Sequence, residues 1–245
     1  MKFSLPMPLK RYSMWVVLLL TLAVFCILVN LGFWQLSRSE QKAAIEQLLQ
    51  VREQAPAIKI DELHAVEFEY LTGAKVSADL TPLEGRYLLL DNQVFQGKVG
   101  YLAYQLMTSR SGLKVFLERG FVPAKAQRDQ LPDVVWINEP IYVVARLYQR
   151  SVNPLSDRLY METASPHRVQ NLNIEQIGQI WEENIEPYVL QPMSSDWPYP
   201  QPWQPVPLSA KKHLGYAVQW FSMASVLLIL GGWVAYRLLI SREKI

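Results

Sequence analysis

The chain has 245 residues, half of them hydrophobic, with 24 Lys and Arg against 22 Asp and Glu. Between positions 38 and 213, 18 basic residues stand against 21 acidic ones, and this balance excludes a basic surface for nucleic acid. One cysteine, Cys26, and three histidines, His64, His167 and His213, exclude an internal disulfide and predict no zinc or copper site.

Two long stretches, residues 12–37 and 214–236, contain no formally charged side chain. Roughly 20 apolar residues in a helix cross a hydrocarbon core of about 30 Å, so each stretch predicts a transmembrane helix. The apolar part of a signal peptide has only about 7 to 15 residues and ends at a small-residue cleavage site. The first stretch is longer and has no such site, so we predict a retained anchor.

Basic residues flank the outer ends of both apolar stretches: Lys2, Lys10 and Arg11 before the first, and Arg237, Arg242 and Lys244 after the second. The positive-inside rule therefore predicts that residues 1–11 and 237–245 are cytoplasmic. Residues 38–213 would then form one extracytoplasmic domain. We expect an integral, two-pass protein of the inner membrane.

The region after the first stretch changes from helical to strand-like patterning. The sequence RSEQKAAIEQLLQVREQA keeps helical spacing and predicts that the first helix continues until Pro56. Strand patterns follow near residues 75–80, 86–91, 100–108, 113–119 and 141–148, and the turn residues at 109–112 predict a hairpin. Together they predict an α+β domain with a small antiparallel sheet or barrel and one or two helices.

Residues 171–207 add a short helix, a strand and a Pro-rich segment. Asn173 can cap a helix over residues 174–181, and residues 186–191 indicate a returning strand. The Pro-rich segment, residues 192–207, holds six of the 16 prolines and cannot be helical. It leads into the second apolar stretch, either as a stiff spacer or by docking Trp197, Tyr199 and Trp203 onto lipid headgroups or a partner.

The sequence contains none of the local patterns that mark common enzyme sites. There is no GxSxG, no Gly-rich phosphate loop and no HExxH. No serine or carboxylate stands beside a histidine in a recognisable catalytic pattern. We therefore predict that the protein is not an enzyme.

The end of the first apolar stretch, NLGFWQLSR, places polar side chains in apolar surroundings. Amides within lipid seek partners on another helix, so Asn30 and Gln35 are predicted to face protein. The alternative is that Trp34, Gln35 and Arg38 form the interfacial belt where the helix leaves the membrane.

One face of the second predicted helix combines a histidine with small and aromatic side chains. It consists of His213, Ala217, Trp220, Ala224, Leu228 and Gly231. Small residues permit the close approach of another helix or of a flat ligand. A neutral imidazole beside a flat apolar slot suits axial ligation of haem iron. A histidine at the membrane rim without any ligand role is the alternative.

Four short motifs occur in order along the chain. They are Gly32–Arg38 (GFWQLSR), the glycine-marked Gly85–Tyr101 region with Gly97 and Gly100, Arg119–Pro123 (RGFVP) and His213–Phe221 (HLGYAVQWF). In this order they resemble the SURF1 family of cytochrome c oxidase assembly proteins, with its GxWQLxR, RG(W/F)VP and HxxYAxxW signatures. The matching positions are Gly32, Trp34, Gln35, Arg38, Arg119, Gly120 and Pro123, together with the residues of the last motif.

The resemblance implies an accessory protein that assists haem a delivery or insertion into the catalytic subunit of a haem-copper oxidase. Its implied partners are that subunit, the haem synthesis machinery and membrane lipid, and its implied cofactor is transiently held haem a. His213 would contact the haem iron, and the residues around the ring would be Trp220, Tyr216, Trp34 and Gln35.

The alternative is a membrane-anchored scaffold or chaperone that holds the oxidase subunit without binding haem. In that case Arg119, Gly120 and Pro123 would form a turn that positions an interacting loop. Two positions depart from the family pattern: Gln41 stands where tryptophan is common, and Glu118 where a neutral polar residue is more usual.

Overall fold

The computed structural model describes residues 7–65, 70–149, 159–203, 206 and 208–242. The chain divides into two compact units. The helical unit consists of Met1–Gln47 and Val206–Ile245, and the sheet unit consists of Leu48–Pro205.

Two long helices, α1 (Met7–Gln54) and α3 (Ala210–Arg242), build the helical unit, except that residues 48–54 of α1 belong to the sheet unit. The predicted continuation of the first helix is confirmed, because α1 ends only shortly before Pro56. The two helices lie side by side and antiparallel: Gly32 contacts Phe221, and Gly231 faces Thr21 nearer the other end.

Both helices carry exposed apolar side chains over lengths that match a bilayer. Mean hydropathy is 2.7 for the most apolar window of Trp15–Gln54 and 1.6 for that of Ala210–Arg237. Leu19 and Ile229 are each about two-thirds exposed, which is unusual for a surface in contact with water. The helices are therefore long and apolar enough to cross a membrane.

The sheet unit contains a mixed sheet of seven strands. They are β1 (Ile58–Lys59), β2 (Lys75–Phe95), β3 (Lys98–Ser109), β4 (Lys114–Pro123), β5 (Ile141–Tyr148), β6 (His167–Val169) and β7 (Ile185–Pro192). The order is β1-β2-β3-β4-β7-β5, β6 pairs with β2, and β2 also pairs with β5. A 3₁₀ helix (Ile60–Ala65) and α2 (Ile174–Trp181) complete the described elements.

The predicted antiparallel sheet or barrel is wrong, because the sheet is mixed. Strands β1 and β6 run parallel to β2, and β7 runs parallel to β4 while remaining antiparallel to β5. Side chains alternate between faces in both parallel and antiparallel strands. Sequence periodicity therefore cannot distinguish the two kinds of pairing.

Two predicted strands, residues 75–80 and 86–91, belong to the single long strand β2. Residues 75–80 pair with β5, whereas most of the later part pairs with β3 across a register shift between Pro82 and Tyr87. Gly85 lies in that shift with a φ of 74°. The turn residues there mark a bulge within a strand rather than a chain reversal.

The predicted hairpin and short helix are confirmed. Strands β3 and β4 are antiparallel, and the Ser109 N–H donates to the Leu113 carbonyl at 2.8 Å across the turn. At the start of α2, the Asn173 side chain accepts a hydrogen bond from the Gln176 N–H at 3.1 Å. This bond satisfies one of the amide groups left open at a helix N-terminus.

The core of the sheet unit contains two large clusters. One joins α2 to the sheet through Trp181, whose ring lies 5.9 Å from that of Phe116. The other is formed by side chains from β2, β4, β5 and β7, including Val76, Leu117 and Leu147. Strand β4, which carries the Arg119–Pro123 motif, contributes side chains to both clusters. It pairs with β3 on one side and β7 on the other.

Candidate functional site

Polar and close contacts join α1 to α3 along one face of α1. The contributing residues, which we call the helix seam, are Gly32, Gln35, Ser39 and Glu46 of α1 with Ala210, His213 and Phe221 of α3. On α1 they follow helical steps that keep side chains on one side. The seam therefore fixes both the separation and the register of the two helices.

The seam centres on a hydrogen bond between His213 and Gln35. The imidazole Nδ1 lies 2.7 Å from the Gln35 Oε1, and His213 is only 8% exposed. With the Gln35 amide oxygen facing Nδ1 as the acceptor, this nitrogen carries a proton, and a neutral imidazole then has its lone pair on Nε2. Among the described residues Nε2 has no hydrogen-bond partner, and it is not sealed inside the protein.

Gly32 provides the space in which the Phe221 ring lies. A Cβ at this position would lie 2.6 Å from a ring carbon of Phe221. The same ring meets Phe33 edge-on, with centroids 5.2 Å apart. The glycine of the first motif thus lets α3 approach closely enough for Gln35 to reach His213.

The first residue of α3 is held by two side chains of α1. Ser39 Oγ donates to the Ala210 carbonyl at 2.9 Å, and the Ala210 N–H donates to Glu46 Oε1 at 3.0 Å. The carboxylate satisfies an open amide and lies at the positive end of the helix dipole. Ala210 lies one turn before His213, so these bonds also fix where the imidazole sits.

The small residues on the His213 face of α3 are covered by α1. Ala217 is buried and lies between His213 and Phe221, both of which contact α1. Ala224, two turns further along the same face, is also buried. Of the two predicted uses of this face, close approach of another helix is the one the structure shows.

The predicted aromatic neighbours of His213 lie mostly outside the seam. Trp34 and Tyr216 are about half exposed, and Trp220 is partly buried. Arg38 lies 5.8 Å from the Trp34 ring centre and donates to Gln41 Oε1 at 2.9 Å. Their exposure suits an interfacial belt at the membrane surface.

The chemistry of the seam fits a haem iron. Histidines that ligate metals commonly donate their other ring N–H to an oxygen acceptor, which fixes the tautomer, and His213 does this with Gln35. In the described part of the chain, no three His, Cys, Asp or Glu side chains converge as a metal site. A haem contact here would therefore depend on a single imidazole.

A second set of motif residues lies in the sheet unit, around Arg119. This side chain is 4% exposed, and its guanidinium carbon lies 4.7 Å and 5.9 Å from the ring centres of Trp197 and Tyr199. Its Nη2 donates to the Val135 carbonyl at 2.9 Å. Burial lowers the pKa of Arg119, and Tyr199 partly opposes that effect. Arg119 therefore clamps neighbouring segments rather than facing solvent.

Gly120 has a backbone conformation that other residues rarely adopt. Its φ is 119°, and a Cβ would lie 2.6 Å from the Pro200 carbonyl oxygen. That oxygen accepts the Phe121 N–H at 2.8 Å. The predicted turn over Arg119–Pro123 is wrong: these residues complete β4, and the pairing with β3 shifts register at Ala103 and Tyr104. Gly120 is thus required for close packing within a strand.

The described part of the Pro-rich segment is bound along β4. Trp197 Nε1 and Gln201 Nε2 both donate to the Arg119 carbonyl, at 2.8 Å and 3.1 Å. Tyr199 Oη accepts the Val135 N–H at 2.8 Å. The aromatic side chains of the segment pack on its own sheet unit, which neither predicted alternative anticipated.

A buried polar network extends from Glu118, the residue next to this clamp. Glu118 is 1% exposed and accepts from Tyr104 Oη at 3.1 Å and from Gln191 Nε2 at 3.0 Å. Gln191 also accepts from Arg146 Nε at 2.9 Å, and the Arg146 guanidinium lies 3.8 Å from the Trp203 ring centre.

The charge of Glu118 is balanced within this network. Burial lowers the pKa of Arg146 to about 10, and Glu118 and Glu53 oppose the shift. Arg146 is therefore still protonated at neutral pH and faces Glu118 as a cation. The departure from the family pattern at position 118 is thus accommodated by the half-buried Arg146, which Gln191 links to Glu118.

Sequence reasoning missed several residues of both sets. Ser39, Glu46 and Phe221 were not predicted, although Ser39 and Glu46 share a helical face with Gln35 and this spacing was visible. Gln201 gave no signal, because its role depends on contact with Arg119, 82 positions earlier in the chain.

Comparison with known proteins gives one consistent result. A sequence model of the SURF1 family matches residues 22–225. A SURF1-like protein of Rickettsia felis is 23% identical over 232 residues, covering 89% of this chain and 96% of that protein. SURF1-like proteins of Rickettsia prowazekii and Rickettsia conorii are also 23% identical, over 89% of this chain and 88% and 90% of their own lengths. The matched region includes both the helix seam and the Arg119 clamp.

Proposed function

The chain belongs to the SURF1 family, whose members are known in general as oxidase assembly factors and not as catalysts. On this basis we propose a specific task for the protein. It assists the delivery or insertion of haem a into the catalytic subunit of a haem-copper terminal oxidase. Its partners are that subunit, membrane lipid and the machinery that synthesises haem. The protein holds haem only transiently and passes it on.

The hydrogen bond between Gln35 and His213 is the observation that carries this proposal. With Nδ1 bonded to Gln35, Nε2 has no partner among the described residues and, in a neutral imidazole, offers a lone pair. Haem a, when bound, would supply an iron to which such a nitrogen could coordinate. His213 would hold the iron, and the half-exposed rings of Trp34 and Tyr216, with Trp220 behind them, would provide apolar surface near it.

We place both helices across the inner membrane, with the two termini in the cytoplasm and the sheet unit outside. The basic residues at the outer ends of α1 and α3 support this orientation. Cys26 is the only cysteine, so Cys26→Ser gives a background for single labels. In spheroplasts, an impermeant maleimide should label Tyr142→Cys in the sheet unit, and should label Arg237→Cys only after lysis. The reverse pattern would refute the orientation.

The haem task can be tested on the full-length protein purified from cells that make haem a. We expect haem absorption bands in the wild type and in the matched control His167→Ala, whose histidine lies in β6 of the sheet unit. His213→Ala should lose the bands and slow oxidase maturation. A wild type without haem, together with normal maturation in His213→Ala, would refute the haem task.

The second candidate function is a scaffold or chaperone that grips the oxidase subunit and never holds haem. It is favoured by the burial of Ala217 and Ala224, because these small residues of the His213 face pack within the protein and are not open to a flat ligand. Crosslinking in cells unable to synthesise haem distinguishes the two functions. Capture of the catalytic subunit at undiminished yield would support the scaffold, whereas capture that requires haem synthesis would support haem delivery.

A further inference from the structure

We propose that Gln35 is a positioning residue that holds His213 in the tautomer with the proton on Nδ1, so that Nε2 is the nitrogen presented to a ligand. This inference rests on the proposed function and adds a role for Gln35 at the same site. Gln35 would act only through His213 and would not contact the ligand. The juxtaposition of Gln35 on α1 and His213 on α3, 2.7 Å apart, carries the inference.

The hydrogen bond between His213 and Gln35 favours the tautomer that free histidine in water adopts less often. In water, neutral histidine favours the tautomer protonated on Nε2, whose lone pair is on Nδ1. Nδ1 is close to the main chain and is therefore the more hindered nitrogen for coordination. The acceptor Gln35 Oε1 reverses this preference, because only a protonated Nδ1 can donate to it.

The rest of the seam makes this contact rigid. Ser39 and Glu46 bind the main chain of Ala210 at 2.9 Å and 3.0 Å, one helical turn before His213. On the other side of Gln35, the packing of Phe221 against Gly32 fixes the helix separation. A ligand nitrogen needs such support to keep its orientation.

An amide acceptor also suits a ligand that must be released. Carboxylates that accept from metal-bound histidines raise the basicity of the imidazole and so strengthen the metal bond. The Gln35 amide orients the ring without adding a negative charge. In the described seam Glu46 is the only charged member, and its Oε1 is engaged by the Ala210 N–H. Gln35 thus combines a fixed orientation with moderate donor strength.

Nitrogen-15 NMR of the histidine side chains tests the inference without any haem. The full-length protein, labelled with ¹⁵N-histidine in detergent micelles, has three histidines, and His213→Ala assigns the signal. In spectra recorded at a pH where the imidazole is neutral, we expect the Nδ1–H signature in the wild type and in Gln35→Glu, which keeps an acceptor. Gln35→Leu should shift the signal to the Nε2–H form.

Gln219→Leu is the matched control, because Gln219 is an exposed glutamine on α3 without a hydrogen bond among the described residues. It should keep the wild-type signal. Circular dichroism should show unchanged helix content in every variant, so that a tautomer change is not confused with unfolding. An Nε2–H signature in the wild type, or no change in Gln35→Leu, would overturn the inference.

Titration with ferric protoporphyrin IX adds a ligand readout. Loss of an outer-shell partner typically weakens metal binding about 10- to 100-fold, and we expect Gln35→Leu to show a loss in this range. Gln35→Glu should bind at least as tightly as the wild type. Measurable binding that is equally tight in the wild type and Gln35→Leu would overturn the inference while leaving the proposed function standing. A tautomer switch without any haem binding would uphold the inference and refute the proposed haem task.

Discussion

The helical unit and the sheet unit bury polar side chains in different ways. In the helix seam each polar side chain has one hydrogen-bond partner among the described residues, and the pairs follow one another along a single face of α1. In the sheet unit, Gln191 bonds to Glu118, Arg146 and the Pro202 carbonyl at once. Substitutions in the pairwise seam should therefore lower the free energy of unfolding independently of one another. Substitutions in the shared network should have coupled, non-additive effects.

The largest effect should come from Gly120→Ala. Gly120 lies where β4 packs most closely against the Pro-rich segment. The new Cβ would lie 2.6 Å from the Pro200 carbonyl oxygen in a positive-φ conformation. Backbone strain costs about 1–3 kcal/mol, and detaching the Pro-rich segment from β4 adds to it. We expect the free energy of unfolding of the full-length protein, measured in micelles with urea, to fall by about 3 kcal/mol or more.

Gly112→Ala provides the control for this prediction. Gly112 also has a positive φ, of 87°, but a Cβ there would meet nothing within 4 Å. Gly112→Ala should lower the free energy of unfolding only by the backbone strain of a positive φ, about 1–2 kcal/mol. Equal losses for the two variants would mean that the contact with Pro200 contributes nothing.

Glu118→Ala should be nearly as damaging, because it removes the buried acceptor of Tyr104 and Gln191 and the carboxylate that opposes the charge of Arg146. Breaking a buried charge pair from one side typically costs about 3–5 kcal/mol; Arg146 is partly exposed, so we expect the lower end of that range. Glu118→Gln, which keeps the oxygen that accepts from Tyr104, should lose less.

A double-mutant cycle with Arg146→Met tests whether this region behaves as a network. The double variant should be more stable than the sum of the two single losses predicts, because neither charge is then left alone. Strictly additive losses in urea unfolding would argue against coupling between the two residues.

In the seam, Gly32→Ala should cost about 1–2 kcal/mol, because the Phe221 ring has to move away from the new Cβ. The matched variant Gly215→Ala, where a Cβ meets nothing within 4 Å, should gain slightly from helix propensity. Adding Phe221→Leu should restore much of the loss in Gly32→Ala. SDS-induced unfolding followed by tryptophan fluorescence measures all three, and a failure of Phe221→Leu to rescue would contradict the packing role of Gly32.

The smallest effect concerns pH and the hairpin between β3 and β4. Burial of Asp61 acts to raise its pKa, but hydrogen bonds from Ser109 and Ser111 outweigh it, and the pKa lies below its ordinary value of 3.8. A lowered folded-state pKa stabilises the protein above pH 4, and this contribution disappears as the pH falls through the folded-state value.

Asp61→Asn should therefore destabilise the protein at pH 7 and matter progressively less as the pH is lowered below 4. Urea unfolding of the variant and the wild type at both pH values measures this difference. A stability gap that stays constant between pH 7 and pH 3 would contradict the assignment.

The two units also differ in how far the sequence predicted them. The long uncharged stretches identified α1 and α3, helical spacing predicted how far α1 continues, and the rule that amides in lipid seek partners predicted that Gln35 faces protein. The alternation of strands identified β3, β4 and β5, yet it could not reveal the parallel pairing of β7 with β4. The spacing of apolar residues shows which side chains share a face of a helix or strand, but not which other element pairs with it.

The same limit explains the misreading of the Arg119–Pro123 motif. A glycine and a proline within five residues are typical of a turn, and only the carbonyl of Pro200 lying against Gly120 shows why a strand contains them. That contact joins residues 80 positions apart. The Pro-rich segment was likewise recognised by composition, but its binding site on β4 depends on the folded chain.

The link from Glu118 through Gln191 to Arg146 has a consequence for substitutions at these positions. A relative with a neutral residue in place of Glu118 would leave a half-buried cation without its counterpart, whereas a relative that lost only Arg146 would keep an unbalanced carboxylate. Either single step lowers stability, and both together restore it. We therefore expect the two positions to covary among descendants of this sequence, with Gln191 retained as the amide that bridges them.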